Sequence, residues 1–413
     1  MTTNVTGFDD STPNATSTID DIFHFEQKHV YSTQNNPMCG ITFPQWFSIL
    51  RGYGRYIEWK YVPRALFLTL SSLFNAFLGL IESIWYPASV IDAMSLPEDP
   101  IFIIGHPRTG TTLLHNLLSS DVDSFFHCTT FCTGFSCCFL WFERWGKILF
   151  SGAIASTRPM DSMPLHFDLP QEDECATCVL SHGASYYLAL AFMQQEKSLR
   201  KYLTISPEDG ATPEDEAQWT NAFLFLLRKL VLRAQLQEPN KKRRMLLKSP
   251  IHTARVPLLR KLFPKATFIY LHRDPYKVLQ SSAHMANTAF WYIYLNTPSD
   301  EQVTEYTLWQ FERMWKGYND AAVVDQTNST RKVAGDILEL SYNNLVTQPI
   351  ESLKQVYNHA GISWTEEIES NYQKQVAALA NYKVNQFVDL PASLRRVIQM
   401  RAKGYFSAFN YPQ

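Results

Sequence analysis

The chain has no excess of charge of either sign. Its 413 residues carry 37 Lys and Arg against 39 Asp and Glu, a formal net charge of -2. That excludes a nucleic-acid binder relying on bulk electrostatics and leaves room for a local basic pocket. There is no cysteine framework either. The seven cysteines, Cys39, Cys128, Cys132, Cys137, Cys138, Cys175 and Cys178, are odd in number and come without a secretory signal, as reduced thiols do. Cys175 and Cys178 form a C-x-x-C, but no second such pair and no closely spaced histidines accompany it, so no structural metal site is expected. Internal repeats and low-complexity blocks are absent beyond the N-terminal tail.

No basic start followed by an apolar core opens the chain, so a signal peptide is not expected. Residues 1–40 are predicted to be a polar, disordered tail, and the sequons at Asn4, Asn14 and Asn328 would matter only in a secreted chain. No apolar run quite reaches the roughly 20 residues of a membrane span. The nearest, Ala65–Ile81, is uncharged between Arg64 and Glu82 but diluted by Thr69, Ser71, Ser72 and Asn75. A helix buried or surface-packed within a helical segment, residues 41–97, is preferred. Membrane association through it is the alternative, and Arg51, Arg55, Lys60 and Arg64 before it would suit a cytoplasmic N-terminus. A cytoplasmic location is expected, with a Golgi-type membrane location the rival.

What is present fits one large α/β core, since 46% of the residues are apolar. From residue 98 onward strands alternate with helices. Ile101–Ile104, Met245–Leu247, Ala266–Arg273 and Asp336–Tyr342 read as strands, and Thr112–Ser119 and Glu214–Leu236 as helices. Apolar strands in that alternation imply a central parallel sheet flanked by helices, a helix-rich three-layer P-loop architecture over residues 98–413.

A lysine is missing where one would expect it. In IFIIGHPRTGTTLLHNLL, from Ile101 to Leu118, Gly105 and Gly110 keep the G-x-x-x-x-G-K-[ST] spacing of a phosphate loop, but Thr111 replaces the lysine. Backbone N–H groups at such a strand-to-helix turn form an anion nest. Gly110 lets the backbone come close, the hydroxyls of Thr109, Thr111 and Thr112 add donors, and Arg108 offers a planar fork for an oxyanion. That set suits an anion needing no bridging metal. A second constellation runs from Met245 to Ser282. Lys248 and Arg273 end successive strands and emerge at the carboxyl edge, where open α/β sheets bind ligands. Ser281, inside the next helix, pairs with Arg273 as a second phosphate site, so a ligand with two separated anionic groups is implied.

These segments resemble those of sulfotransferases that use 3′-phosphoadenosine 5′-phosphosulfate (PAPS), particularly the tyrosylprotein and bacterial-type branches. PRTGTT, Pro107–Thr112, resembles their PRSGTT 5′-phosphosulfate loop, and LHRDPYKVLQSS resembles their 3′-phosphate motif. LKSPIHT, the acidic DSMPLHFDLPQEDE from Asp161 to Glu174, and LSYNNLVTQP match further family segments, with Asn343 where a Glu is common. The resemblance spans roughly Phe43 to Tyr405. It implies sulfuryl transfer from PAPS to an acceptor hydroxyl or amine, releasing adenosine 3′,5′-bisphosphate, with no metal. Arg108, Thr109, Gly110, Thr111, Thr112, Arg273 and Ser281 would bind the donor, and Lys248 would meet the bridging oxygen.

The base is read from the acids of PQEDE. Crowded carboxylates in a dry cleft suit a base near neutral pH; Glu172 is preferred, and His252 is the alternative. Aromatic runs at Ala184–Phe192 and Ala289–Leu295 could wall a pocket for a small-molecule, lipid or carbohydrate acceptor. Two rivals stand beside this reading: a P-loop kinase or NTPase, which Thr111 argues against, and an inactive membrane scaffold, which the retained Arg108, Lys248 and Arg273 argue against.

Overall fold

The computed structural model describes residues 22–152, 154–325, 331–379, 385–387 and 389–413. Most of the expected tail, 1–21, and the three sequon asparagines lie outside them. The elements that matter here are, in chain order, α1 (Val62–Trp85), β1 (Ile101–Gly105), α2 (Thr111–Ser119), β2 (Phe125–His127), α3 (Phe139–Leu149), α4 (Asp173–Leu180), α5 (Pro213–Gln237), β3 (Arg244–Lys248), β4 (Thr267–His272), α6 (Pro275–Thr288), α7 (Asp300–Ala322) and β5 (Ile337–Ser341).

The five strands form one parallel sheet in the order β2-β3-β1-β4-β5. All five residues of β1 are buried, as an apolar run covered on both faces requires. Alternation divides them. Phe102 and Ile104 face a core with Trp219, Phe223 and Leu226 of α5, while Ile101 and Ile103 pack on Leu114, Leu117 and Leu118 of α2. The three-layer architecture read from the sequence is therefore present. The sequence reading lacked β2, a three-residue edge strand.

The sheet positions the site by register. Ile103 of β1 is level with Lys248 of β3 on one side and Ile269 of β4 on the other, and Gly105 is level with Leu271. The loop after β1 thus emerges between the end of β3 and the end of β4, at the carboxyl edge.

Residues 22–40 correct the expected loose tail, because they are tied to the body. Phe23 N–H donates to Thr304 Oγ1 at 3.0 Å. The buried Arg64 guanidinium donates to the carbonyls of His29, Val30, Ser32 and Tyr294. One charge in the wall of α1 thereby organises four backbone acceptors that a tail would leave to water.

Beneath α4, Arg255 and Glu174 form a fully buried pair with Nη1–Oε2 at 2.7 Å and Nη2–Oε1 at 3.0 Å, and Trp219 Nε1 and Ser185 Oγ also donate to the carboxylate. Glu174→Ala strands the guanidinium and should destabilise the fold by about 3–5 kcal/mol in urea unfolding. A loss below about 1 kcal/mol would mean the pair is solvated and holds nothing.

Candidate active site

The loop after β1 is shaped by three residues at positive φ. Gly105 has φ 141°, and a Cβ there would meet the Leu271 carbonyl oxygen at 2.4 Å, so close packing of β1 on β4 demands glycine. Gly110 has φ 96°, and a Cβ would come within 2.6 Å of the Tyr342 ring. Between them Arg108 holds φ 74°, a conformation a non-glycine residue adopts only when its surroundings over-determine it. Those surroundings are explicit. Arg108 Nε donates to Ser281 Oγ at 2.9 Å, Nη1 pairs with Asp161 Oδ2 at 2.9 Å, and the Arg108 carbonyl accepts from Arg273 Nη1 at 3.1 Å. The Arg273 guanidinium lies 4.2 Å from the centre of the Tyr342 ring, and burial holds its pKa below the ordinary arginine value.

Arg108, Arg273 and Ser281 are therefore brought together, as expected. The loop fork and the Arg273–Ser281 pair lie side by side, with Arg108 hydrogen-bonded to both partners. All three line a cavity of about 490 Å³ with Gly110, Thr111 and Thr112, and Leu113, Leu345, Val376 and Phe387 line the same cavity. Charged and polar anchors within a largely apolar lining suit a nucleotide.

Thr109 is a correction. It is fully buried, and both its N–H and its hydroxyl donate to the His106 carbonyl, at 3.2 and 2.8 Å. It closes the turn and offers nothing to a ligand. His106 props the same turn: Nε2 bonds the Phe311 carbonyl at 2.8 Å, the ring stacks on Phe311, and burial lowers its pKa to about 4.

Lys248 and Glu172 lie next to the loop. Lys248 Nζ is 3.0 Å from Glu172 Oε1 and 3.5 Å from Thr112 Oγ1. Arg158, which the sequence reading passed over, donates to the same Thr112 hydroxyl at 3.1 Å and pairs with Asp161 at 3.3 Å. Glu172 Oε2 accepts from the Tyr187 hydroxyl at 3.1 Å. Burial and then the neighbouring Cys175 and Glu172 push the Tyr187 phenol well above its ordinary pKa, so it stays a neutral donor to the carboxylate.

His252 is the second correction. It is completely buried, its Nε2 lies 2.6 Å from Asp173 Oδ1, and it meets Phe102, Trp219 and Phe223 edge-on. A ring enclosed by three aromatics on the core side of the sheet does not reach the cavity, so His252 cannot take a proton from an acceptor there. Of the aromatic runs, residues 289–295 are core, whereas 184–192 delivers Tyr187 to Glu172. Among the described residues all seven cysteines are free thiols, and no group of three or more His, Cys, Asp or Glu is placed to hold a metal. Asp161, Arg158 and Tyr342 are the site residues that sequence reasoning did not single out. Asp161 and Tyr342 lay inside quoted motifs, but nothing local marks which side chain an arginine will choose.

The Sulfotransferase family profile matches residues 100–366. Two curated relatives, the omega-hydroxy-beta-dihydromenaquinone-9 sulfotransferases Stf3 of Mycobacterium bovis and Mycobacterium tuberculosis, are each 28% identical over 359 residues, covering 84% of this chain and 84% of theirs. Among solved structures, the fold is similar to sulfotransferase STF1 of Mycobacterium tuberculosis, with TM-score 0.59, 16% identity, and 88% of this chain and 92% of that one covered. It is also similar to sulfotransferase STF9 of Mycobacterium avium, with TM-score 0.57, 18% identity, and 84% and 86% covered.

Arg108→Ala should weaken binding of adenosine 3′,5′-bisphosphate by about 2–5 kcal/mol, because a desolvated anion loses its fork, while Arg108→Lys keeps part of the affinity. Calorimetric titration of both variants measures this. An unchanged affinity in the alanine variant removes Arg108 from the site.

Proposed function

This chain belongs to the sulfotransferase family, and from that premise we propose how its own residues carry the reaction. The enzyme is a PAPS-dependent transferase that moves the sulfuryl group to an acceptor. In the transfer, the acceptor oxygen forms a bond to sulfur while the bond from sulfur to the 5′-phosphate oxygen breaks. The electron pair goes to that leaving oxygen, and the acceptor proton goes to a base.

Arg108 and the N–H groups opening α2 bind the 5′-phosphosulfate end, and Arg273 with Ser281 binds the 3′-phosphate. Lys248 neutralises the leaving oxygen. It is shared between Glu172 and Thr112, so its ammonium can turn from carboxylate to leaving group without leaving its position. Glu172 takes the proton, oriented by Tyr187 and Lys248. Thr111 and Thr112 line the donor cavity, and Asp161 holds Arg108 in its strained backbone.

One observation carries this reading. The anion ligands Arg108, Arg273 and Ser281 share a cavity with Thr112, whose hydroxyl is within reach of the Lys248 ammonium that Glu172 also holds. With this much fixed positive charge, the transfer needs no metal in our reading, and activity should persist in a chelator. A kinase reading has no such support at Thr111, where the phosphate-binding lysine would sit.

The acceptor is a small molecule carrying a hydroxyl, and we assign it to the lipid alcohols. The support is that Stf3, by its name, acts on an omega-hydroxy menaquinone derivative. We place the enzyme on the cytoplasmic side; the bacterial relatives lend no support to a Golgi-type location.

Two outcomes test this. Glu172→Gln should lower kcat by roughly 10²–10⁴ with adenosine 3′,5′-bisphosphate still bound at wild-type affinity; a normal rate would move the base elsewhere. Wild type should prefer adenosine 3′,5′-bisphosphate without Mg²⁺ over Mg²⁺-ATP. Arg273→Ala should erase the preference, since charge-assisted bonds to the 3′-phosphate contribute about 1.5–3 kcal/mol each. A wild-type preference for Mg²⁺-ATP would restore the kinase reading.

A further inference from the structure

Helix α1 is built inside out. Its buried residues include Arg64, Ser72, Asn75 and Glu82, four of the polar groups in its sequence. Its exposed side, by contrast, carries Val62, Pro63, Leu66, Leu70, Leu73, Phe74, Phe77 and Leu80, with no polar side chain among the exposed positions from Val62 to Leu80. A helix facing water would be the reverse. Residues Trp59–Trp85 have a mean hydropathy of 1.6 in their most apolar window, of which only 28% is buried, so this is not a core helix.

The apolar surface extends beyond α1. Helix α3 packs alongside it, with Phe74 against Phe150 and Trp85 against Trp141, and exposes Trp145, Ile148 and Leu149. Trp59 stands at the start of the stripe and Phe47 on the helix Phe43–Tyr53 that packs against α1, both exposed. A contiguous face of this kind, far larger than scattered surface leucines, marks an interaction site.

We propose that this face docks onto an anionic lipid bilayer, with α1 lying in the plane of the interface and not crossing it. The inference does not depend on the transfer chemistry. Three observations choose this occupant. First, tryptophans mark both ends of α1 (Trp59, Trp85) and the exposed side of α3 (Trp145), the residue type that favours the headgroup level. Second, the exposed charges carried by these helices are basic. Arg144 on α3 is the sole exposed charged residue of the two helices, Arg51 lies one turn from Phe47, and Arg55 precedes Trp59, whereas the exposed Asp168 beside α3 is already paired with Lys147 of that helix. A second copy related by a two-fold axis would offer those arginines only the same basic helices, whereas acidic headgroups supply a counter-charge. Third, the first 21 residues are polar and acidic in sequence and offer no apolar stripe to cover the face.

The in-plane orientation follows from the buried side. Asn75 Nδ2 donates to the carbonyls of Cys39 and Ile41, Trp46 Nε1 donates to Thr69, Trp141 Nε1 donates to the Leu78 carbonyl, and Glu82 pairs with the buried Lys229. Arg64 adds its four carbonyls. A transmembrane span would have to abandon all of these along its whole length and bury the polar side chains in hydrocarbon. Lying flat keeps every one and buries the outer face only.

Vesicle flotation with the full chain tests the proposal, using phosphatidylcholine vesicles alone and vesicles also containing phosphatidylglycerol. Wild type should float with the anionic vesicles and less with the neutral ones, and an alkaline carbonate wash should release it. The double variant Leu70→Glu/Phe77→Glu, and independently Ile148→Glu on α3, should cut the bound fraction roughly tenfold or more, with the urea midpoint unchanged as proof of an intact fold. Arg144→Glu should weaken binding to anionic vesicles only. Failure of wild type to float, or equal flotation of the glutamate variants, overturns the proposal. Resistance to carbonate overturns the in-plane orientation. A lipid-free dimer that Leu70→Glu/Phe77→Glu splits into monomers makes the face a subunit interface instead.

Discussion

Three consecutive carboxylates and three basic side chains hold this site together. Glu172, Asp173 and Glu174 open α4, and they splay apart to meet Lys248, His252 and Arg255 from the end of β3 and the turn that follows it. The partners sit on the last residue of β3 and on the six-residue 3-10 helix Pro250–Arg255 directly after it, so one docking of α4 on this strand-to-helix junction satisfies all three pairs. Burying such pairs adds little net stability, because desolvation offsets most of the attraction. Its effect is on specificity: slipping α4 by one residue would strand three acids and three bases at once. The pairs are also graded by depth. Glu174 and Asp173 are sealed with their partners, whereas the Glu172 side chain keeps some exposure and lies, through Lys248, beside Thr112 of the cavity. The residue with chemical freedom is held in place by two neighbours that have none.

The donor loop is constrained in a comparable way. Its strained residue, Arg108, is gripped by Asp161 and Ser281 through the side chain and by Arg273 through the carbonyl. The loop fork and the two residues read as a 3′-phosphate motif therefore form one hydrogen-bonded unit, so disturbing either end disturbs both. Tyr342 closes the arrangement, with its ring over Gly110 and under the Arg273 guanidinium. That aromatic cover explains why the strand β5 and its turn belong to the site although they contribute no charge.

How far this could be read in advance depended on how local each signal was. Four of the five strands were legible because each is an apolar run bounded by turn residues. β2 was not, since Phe125–His127 is too short to show a period. The loop, Arg273 and Ser281 were legible as spaced motifs. By contrast, the fate of PQEDE was not. Read as a crowded acidic cluster, it is in fact three acids with three separate partners 76, 79 and 81 residues onward, and nothing local tells a base from a structural anchor. His252 was misread for the same reason, since its burial depends on Phe102, Trp219 and Phe223 from three distant segments. Thr109 looked like a donor because loop threonines usually are; only the turn geometry shows its hydroxyl spent on His106. The sidedness of α1 was readable in principle, because Arg64, Leu68, Ser72, Asn75 and Glu82 fall on one helical stripe. Averaging hydropathy over the run concealed it.

The outer face of α1 and the acid helix α4 are joined through one short piece of chain. The turn Pro37–Gly40 packs against both, and Asn75 of α1 grips the carbonyls of Cys39 and Ile41 at its two sides. A Cβ on Gly40 would meet the Gly134 carbonyl oxygen at 2.6 Å, so this layer has no slack. The buried side of α1 and the helix that carries the three acids therefore share one packed layer. The proposed docking face rests on the exposed side of α1, and the proposed acceptor class rests on the name of a relative. Because these are separate observations, each can be tested apart from the other.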